Sequence, residues 1–366
     1  MKGYLSGVAL LLLSGYATAT QLDIKSIEYR YPGSTEMQYR VPWFSSTDNP
    51  KVAKRINDYI FASFINQLPG NTPQATVNQF AKSAMNPTAN LDYTVEYRDA
   101  KVLTLNMFVE GCGAYCESYN VPISFDLANG AAITLNDLFS RSTMAELNTR
   151  IRKDIRGQID TFVDAHKSQT PEQIKEEKGE VFNYAEFYAS CATYTDGLYY
   201  IDKFSLQKDH LAFLNGRCSN HASRALDELG DFTTKIPTAE LQNRLTPYGQ
   251  YLTGAKSTTQ VSPAPGIDGK VMYGMLGKSM RIVLKVDCKY GDFFEGAYFY
   301  QKFGAPIELT GKCDTADNQH YELKTSAAEQ AQEKITLELK DGVYQGVWES
   351  NGKTLPVQIG RASCRE

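Results

Sequence analysis

Residues 108–139 read FVEGCGAYCESYNVPISFDLANGAAITLNDLF, and the rest of the chain is organised around them. Val121, Ile123, Phe125 and Leu127 alternate with their neighbours before Asn129-Gly130, and Ala131, Ile133 and Leu135 alternate after it. Alternation on both sides of Asn-Gly is the strongest short-range hairpin signal, because both central residues of such a turn need positive φ. Cys112 and Cys116 flank a small-residue turn just upstream, and Leu135 to Phe139 leads out of the hairpin. The stretch is a fold signature: Asp126 and Asn129 read as side chains that satisfy the turn's own backbone.

Upstream, Ile24 to Val41 is rich in Tyr, Ile and Val and is broken by Pro32-Gly33, which predicts two strands and a turn. Asp48-Asn49-Pro50 supplies a cap with proline at the first helical position. The helix it opens places Val52, Ile56, Ile60, Phe61 and Phe64 on an apolar face, with Lys51, Lys54 and Asp58 on another. A second helix starts at Thr72-Pro73, and Leu91 to Phe108 predicts two strands around Arg98-Asp99-Ala100.

Downstream, Thr143 and Glu146 have capping-box spacing before the stripe Leu147, Ile151, Ile155, Ile159 and Phe162. Thr170-Pro171 opens a further helix whose Lys175 to Lys178 charge run reads as a solvated face. Short strands are expected over 198–201, 203–206 and 210–214, with a short helix beginning at Pro237. Gly254 to Gly266 lacks large apolar residues and reads as a linker. Beyond it the pattern turns all-β, with Met280, Ile282, Leu284, Val286 and Cys288 alternating and hairpin turns at Asp341-Gly342 and Asn351-Gly352. The expected fold is α+β: an antiparallel sheet with packed helices over residues 22–250, then an all-β antiparallel meander or small barrel. The expected division is 20–108, 109–252, a linker 253–266 and a barrel 267–358.

Both termini stand apart. Residues 1–19 combine Lys2, the apolar run Val8 to Leu13 and Ala17-Thr18-Ala19, which together read as a signal peptide cleaved near Thr20. The run is too short for a transmembrane anchor, so no anchor is expected after cleavage. Residues 359–366, IGRASCRE, read as an artefactual tail, with a short basic native tail as the alternative. Without these ends the chain carries 35 Lys and Arg against 41 Asp and Glu, a net charge of about −6. That balance argues against a nucleic-acid partner and permits a basic one. Periplasmic or secreted localisation follows from the signal.

Six cysteines then remain: Cys112, Cys116, Cys191, Cys218, Cys288 and Cys313. An even number in an exported chain points to disulfides, although six cysteines allow about fifteen pairings. Nearness in sequence suggests Cys112–Cys116, Cys191–Cys218 and Cys288–Cys313. The four histidines are scattered, with no zinc spacing, and no metal or cofactor is expected. The sequence contains no nucleophile elbow, P-loop, Rossmann fingerprint or zinc-protease helix. Asp209-His210 beside Ser205 is a poor triad, since neighbours on a strand face opposite ways. His221 after Cys218 would be a cysteine–histidine couple only if Cys218 were unbridged.

The run from Gly111 to Phe139 resembles the core signature of a bacterial extracytoplasmic domain of unknown function. In that family a Gly-Gly-Ala-His turn precedes a strand, followed by Phe-Asp-Leu, a glycine turn and Leu-x-Asp-Leu-Phe. The matching residues are Gly113-Ala114, Phe125-Asp126-Leu127, Gly130 and Leu135 to Phe139; Tyr115 stands where the family often has His. The upstream part resembles the small domain usually paired with it. Together the pair is similar to the ectodomain of a lysozyme-sensing anti-sigma factor and to the accessory region of some peptidoglycan deacetylases. The last domain, with Gly346-Val347-Trp348, looks like small Gly-Trp β-barrel modules of envelope proteins. The resemblance implies an exported, non-catalytic envelope protein that binds a lysozyme-like muramidase or a cell-wall glycan. Glu110, Tyr115, Glu117 and Tyr119 are the expected contacts. A small-molecule carrier using the barrel, and a hydrolase with an unrecognised site, are the alternatives.

Overall fold

The computed structural model describes residues 20–31, 33, 35, 38–80, 88–113, 115–166, 183–196, 203–254, 260–288, 293–312, 318–325 and 332–360. The expected signal peptide, the helix from Thr170, the strand over 198–201, part of the linker, Cys313 and the end of the tail lie outside these residues.

The first sheet has the order β1 (Asp23–Tyr29), β2 (Tyr39–Ser45), β3 (Thr88–Arg98), β4 (Val102–Cys112), β5 (Cys116–Asp126) and β6 (Ala131–Ala132). Neighbours run antiparallel except β2 and β3, which meet in parallel at Tyr39 and Leu91. That parallel step needs a crossover, and helices α1 (Pro50–Phe64) and α2 (Pro73–Phe80) supply it. Asn49 caps α1 by accepting from the Val52 N–H, as Asp48-Asn49-Pro50 predicts. Val52, Ile56, Ile60 and Phe61 are buried against the sheet.

The central hairpin departs from the expected two-residue turn. Asp126 pairs with Ala131, leaving the four residues Leu127 to Gly130 as the loop. Gly130 alone of the Asn-Gly pair takes positive φ, at 71°. The cause is Asp126, whose buried carboxylate accepts from the Ala128 N–H (2.8 Å), the Asn129 amide (2.8 Å) and the Tyr248 hydroxyl (2.9 Å). Burial raises its pKa against those bonds. After Ala132 the strand stops: the Asp137 carboxylate accepts from the N–H (2.8 Å) and hydroxyl (2.9 Å) of Thr134, turning the chain into α3 (Leu135–Leu138). Ile133 keeps one bond to β5, its N–H donating to the Ser124 carbonyl at 2.8 Å, and Leu135 enters the helix.

A second core forms between α4 (Arg141–His166), α5 (Tyr184–Asp196) and the antiparallel sheet β7 (Lys203–Leu206), β8 (His210–Asn215), β9 (Phe232–Pro237). The stripe Leu147, Ile151, Ile155 and Ile159 faces it, as expected. The helix starts earlier than Thr143: Ser140 accepts the Thr143 N–H at 3.3 Å and acts as the cap. A single turn α6 (Thr238–Leu241) and α7 (Pro247–Thr253) complete this part.

The C-terminal unit is a closed antiparallel barrel of eight strands, β10 (Lys270–Leu276) through β17 (Lys353–Gly360), with β17 returning to pair with β10. Asp341-Gly342 and Asn351-Gly352 do form two-residue turns, all four residues at positive φ. The last strand passes the expected end at Gln358, since Ile359 pairs with Gly274 and Tyr344 and is buried. Ile359 and Gly360 thus belong to the barrel and not to a tail. The interior is occupied by side chains, among them Leu284, Phe294, Tyr298, Leu323, Leu337 and Tyr344.

The barrel packs on α1. Ala62 and Leu68 join Val271, Val283, Ala297 and Phe299 of its outer wall in one apolar cluster. Asp58, expected on the polar face, is 2% exposed: the Tyr273 hydroxyl donates to it at 2.6 Å, and Lys54 pairs with it. Lys270 and Asp137, both buried, form a second cross-link at 2.6 Å. Buried charges of this kind cost desolvation and are tolerated because each is paired, so they fix one docking geometry.

Candidate functional site

The β4–β5 hairpin ends in the Cys112–Cys116 disulfide, with the two cysteines directly opposite and their Cα atoms 4.0 Å apart. Beneath this tip lies a cleft of about 230 Å³ between β5 and the end of β8. Glu117 and Tyr119 line it from the hairpin, Lys203 from β7, Asn215 from the end of β8, and Arg217 and Ser219 from the segment after it. The Cys191–Cys218 bond ties that last segment to α5 and so holds the opposite wall. The two sheets are joined below it, where the Leu206 carbonyl and N–H bond the Thr104 hydroxyl (2.6 Å) and the Ser124 hydroxyl (3.2 Å).

Glu117 is the electrostatic centre. The His221 Nδ1 lies 2.9 Å from its Oε2, Arg217 pairs with its Oε1, and Arg224 stands 3.9 Å away. The His221 hydrogen bond, followed by Arg217, holds its carboxyl below the usual glutamate range, so it is ionised at neutral pH. Tyr115 stacks on the His221 ring with centroids 4.3 Å apart and remains 69% exposed. Tyr119 is 42% exposed, with the Lys203 ammonium 5.2 Å from its ring centre.

Of the four expected contact residues, Glu117 and Tyr119 line the cleft, and Tyr115 stacks on His221, the partner of Glu117. Glu110 lies outside it, opposite Ser118 in the hairpin. Arg217, His221 and Arg224 are the residues that sequence reasoning misses as a group. Their signal is three basic side chains within eight positions of GRCSNHASRA around a bridged cysteine. The cysteine–histidine couple is excluded, since Cys218 is bonded to Cys191. His210 faces Asp209 at 2.7 Å while Ser205 donates to Glu96 at 2.8 Å, so no triad forms. Cys288 is also disulfide-bonded; its expected partner Cys313 lies outside the described residues.

Fold and site together define a mixed α+β unit with a disulfide-framed polar cleft, followed by a closed eight-stranded barrel. Solved structures similar to the chain are DUF3298-family proteins. One from Bacteroides fragilis shares 14% identity with a TM-score of 0.40, over 66% of this chain and 100% of its own. Another from Pseudomonas aeruginosa PAO1 shares 13% with a TM-score of 0.35, over 62% and 95%. The chain matches no protein-family model and no curated protein.

Proposed function

We propose that the chain is an exported, non-catalytic binding protein of the bacterial envelope, that its recognition surface is the cleft under the Cys112–Cys116 tip, and that its target is a peptidoglycan-derived glycan. The observation that carries this reading is the pairing of Glu117. Its carboxylate is spent on His221 and Arg217 and held ionised, which suits a rigid recognition wall and not a proton donor. Two exposed tyrosines beside a small polar cleft give a surface with apolar faces and hydrogen-bonding groups in reach of each other. The disulfides, with no helix among the described residues long and apolar enough to cross a membrane, fit an extracytoplasmic protein.

Of the two targets considered, the glycan is favoured over a lysozyme-like muramidase. A basic muramidase calls for an acidic face, whereas Glu117 here is already paired with Arg217 and His221, with Arg224 near it, and Lys203 lines the cleft together with Asp231. The carrier reading loses support from a barrel interior occupied by side chains. Co-sedimentation with purified insoluble peptidoglycan tests the proposal, with capture on immobilised lysozyme as the competing arm. Sedimentation without lysozyme capture is expected. Capture by lysozyme at micromolar concentration in low salt, with no sedimentation, would overturn the choice of target, and failure of both arms would overturn the envelope-binding reading.

A further inference from the structure

Strand β5 is a sheet edge over most of its length. It pairs with β4 from Cys116 to Asp126, whereas β6 reaches only Phe125 and Asp126 on its other side. An antiparallel strand turns the N–H and C=O of alternate residues to opposite sides. Three observations decide which residues turn outward. Pro122, opposite Asn106, has no N–H to give β4. The Ser124 carbonyl accepts from the Ile133 N–H at 2.8 Å, on the β6 side. The Asp126 carbonyl accepts from the Gly130 N–H at 2.7 Å on that side too. Ser118 and Asn120 share this parity, so their N–H and C=O groups face away from β4, and no backbone group of the described residues meets them.

These groups open into the cleft. Glu117, Ser118, Tyr119 and Asn120 all line it, although neighbours on a strand point to opposite faces, so the cleft meets β5 at its edge. The far wall is likewise a run of consecutive residues, Leu214 to Arg217. We propose that the cleft takes an extended peptide as an added strand on β5, hydrogen-bonded to the N–H and C=O of Ser118 and Asn120. Pro122, with no N–H, ends the ladder. This rests on the envelope-binding reading above and names what enters the cleft: a peptide branch carried by the glycan.

The lining side chains offer little charge to select by. Glu117 and Asp231 stand against Arg217 and Lys203. Arg217 pairs with Glu117, its backbone N–H donates to Asp231 at 3.0 Å, and the Lys203 ammonium lies 5.2 Å from the Tyr119 ring centre. The main chain of Ser118 and Asn120 is left to bond, and two residues of a strand span about 6.8 Å, the repeat of an extended peptide. A second copy of the chain, pairing edge to edge, is the poorer occupant. The edge is recessed opposite Leu214 to Arg217, and a folded β5 would bring its own copy of that wall.

Calorimetric titration of the disulfide-bonded chain with N-acetylated, C-amidated penta-alanine tests this, against the same peptide N-methylated at every residue. Methylation removes the donors and keeps the side chains. The plain peptide is expected to bind about ten-fold tighter. Asn120→Pro deletes an outward N–H that β4 does not use and should weaken binding about as much. Asn120→Ala keeps that N–H, loses only the side-chain bond to Asn106, and should bind like wild type. Hydrogen exchange by NMR should show the plain peptide slowing the Ser118 and Asn120 amides, a readout on the unaltered chain if Asn120→Pro does not fold. Equal binding of the two peptides, wild-type affinity in folded Asn120→Pro, unchanged exchange at both amides, or no titration would overturn the inference. A dimer that dissociates in Asn120→Pro would overturn the choice of occupant. If the inference fails while the chain sediments with peptidoglycan, the envelope reading stands without it. Peptide binding without sedimentation removes that reading and leaves the edge contact to a peptide of another source.

Discussion

Gly130→Ala tests whether the central turn is set by its contact with α1. Gly130 has φ of 71°, and an added Cβ would lie 2.6 Å from the Val52 carbonyl oxygen and 3.0 Å from its Cα. Both atoms are backbone in the first turn of α1, which the Asn49 cap holds in place, so neither moves aside cheaply. Left-handed backbone costs an alanine about 1–2 kcal/mol. Overpacking against fixed atoms adds about 1–3 kcal/mol, for a total of about 2–5 kcal/mol. Gly342→Ala is the internal control: its φ is 78°, with nothing within 4 Å of the added Cβ. It should therefore cost only the backbone part, about 1–2 kcal/mol. Urea unfolding read by tryptophan fluorescence suits the comparison, because Trp43 lies in the first sheet and Trp348 in the barrel. Each variant is scored on the transition of its own unit. Equal costs for the two substitutions would refute the claim that the turn is wedged against α1.

The remaining predictions address the cross-links and the cleft. Tyr273→Phe removes the hydroxyl that donates to buried Asp58 and should cost about 1–3 kcal/mol, read as a lower denaturation midpoint. Replacing Cys191 and Cys218 by serine should cost about 3–4 kcal/mol on the chain-entropy account of a 27-residue separation, more than the same change at Cys112 and Cys116, which are 4 apart. Glu117 has a depressed carboxyl pKa, so its stabilising contribution is present above the ordinary glutamate range and is lost as pH falls through the depressed value. Wild type and Glu117→Gln should therefore differ in melting temperature at pH 7 and approach each other as pH falls below the ordinary glutamate range; a gap that widens on acidification would contradict the pairing.

What the sequence reveals and conceals follows the range of the interactions. Asp341-Gly342 and Asn351-Gly352 form the turns their pattern predicts because strand register and backbone sign are local there. Asn129-Gly130 carries the same pattern and does not, because Asp126 takes a bond from Tyr248, 122 residues away. Asp58 falls beside Lys54 on a helical wheel and reads as solvated; its burial depends on Tyr273, 215 residues further on. The alternation of β11 (Met280–Cys288) identifies the barrel interior, yet Val283 on the other face is buried too, under Leu68 of the first unit. The site divides in the same way. Glu117, Tyr115 and Tyr119 stand in the stretch that decides the fold, whereas Arg217, His221 and Arg224 reach them only once Cys191–Cys218 and the seam between β5 and β7 bring the second sheet alongside.

The central claim is that recognition occurs at the cleft and not at the barrel. Hydrogen exchange with and without soluble peptidoglycan fragments tests it most directly, because it reports where protection changes along the whole chain. The account predicts slower exchange over residues 115–120 and 215–224, with the barrel strands unchanged. Protection confined to the barrel, or none anywhere at saturating fragment, would contradict it.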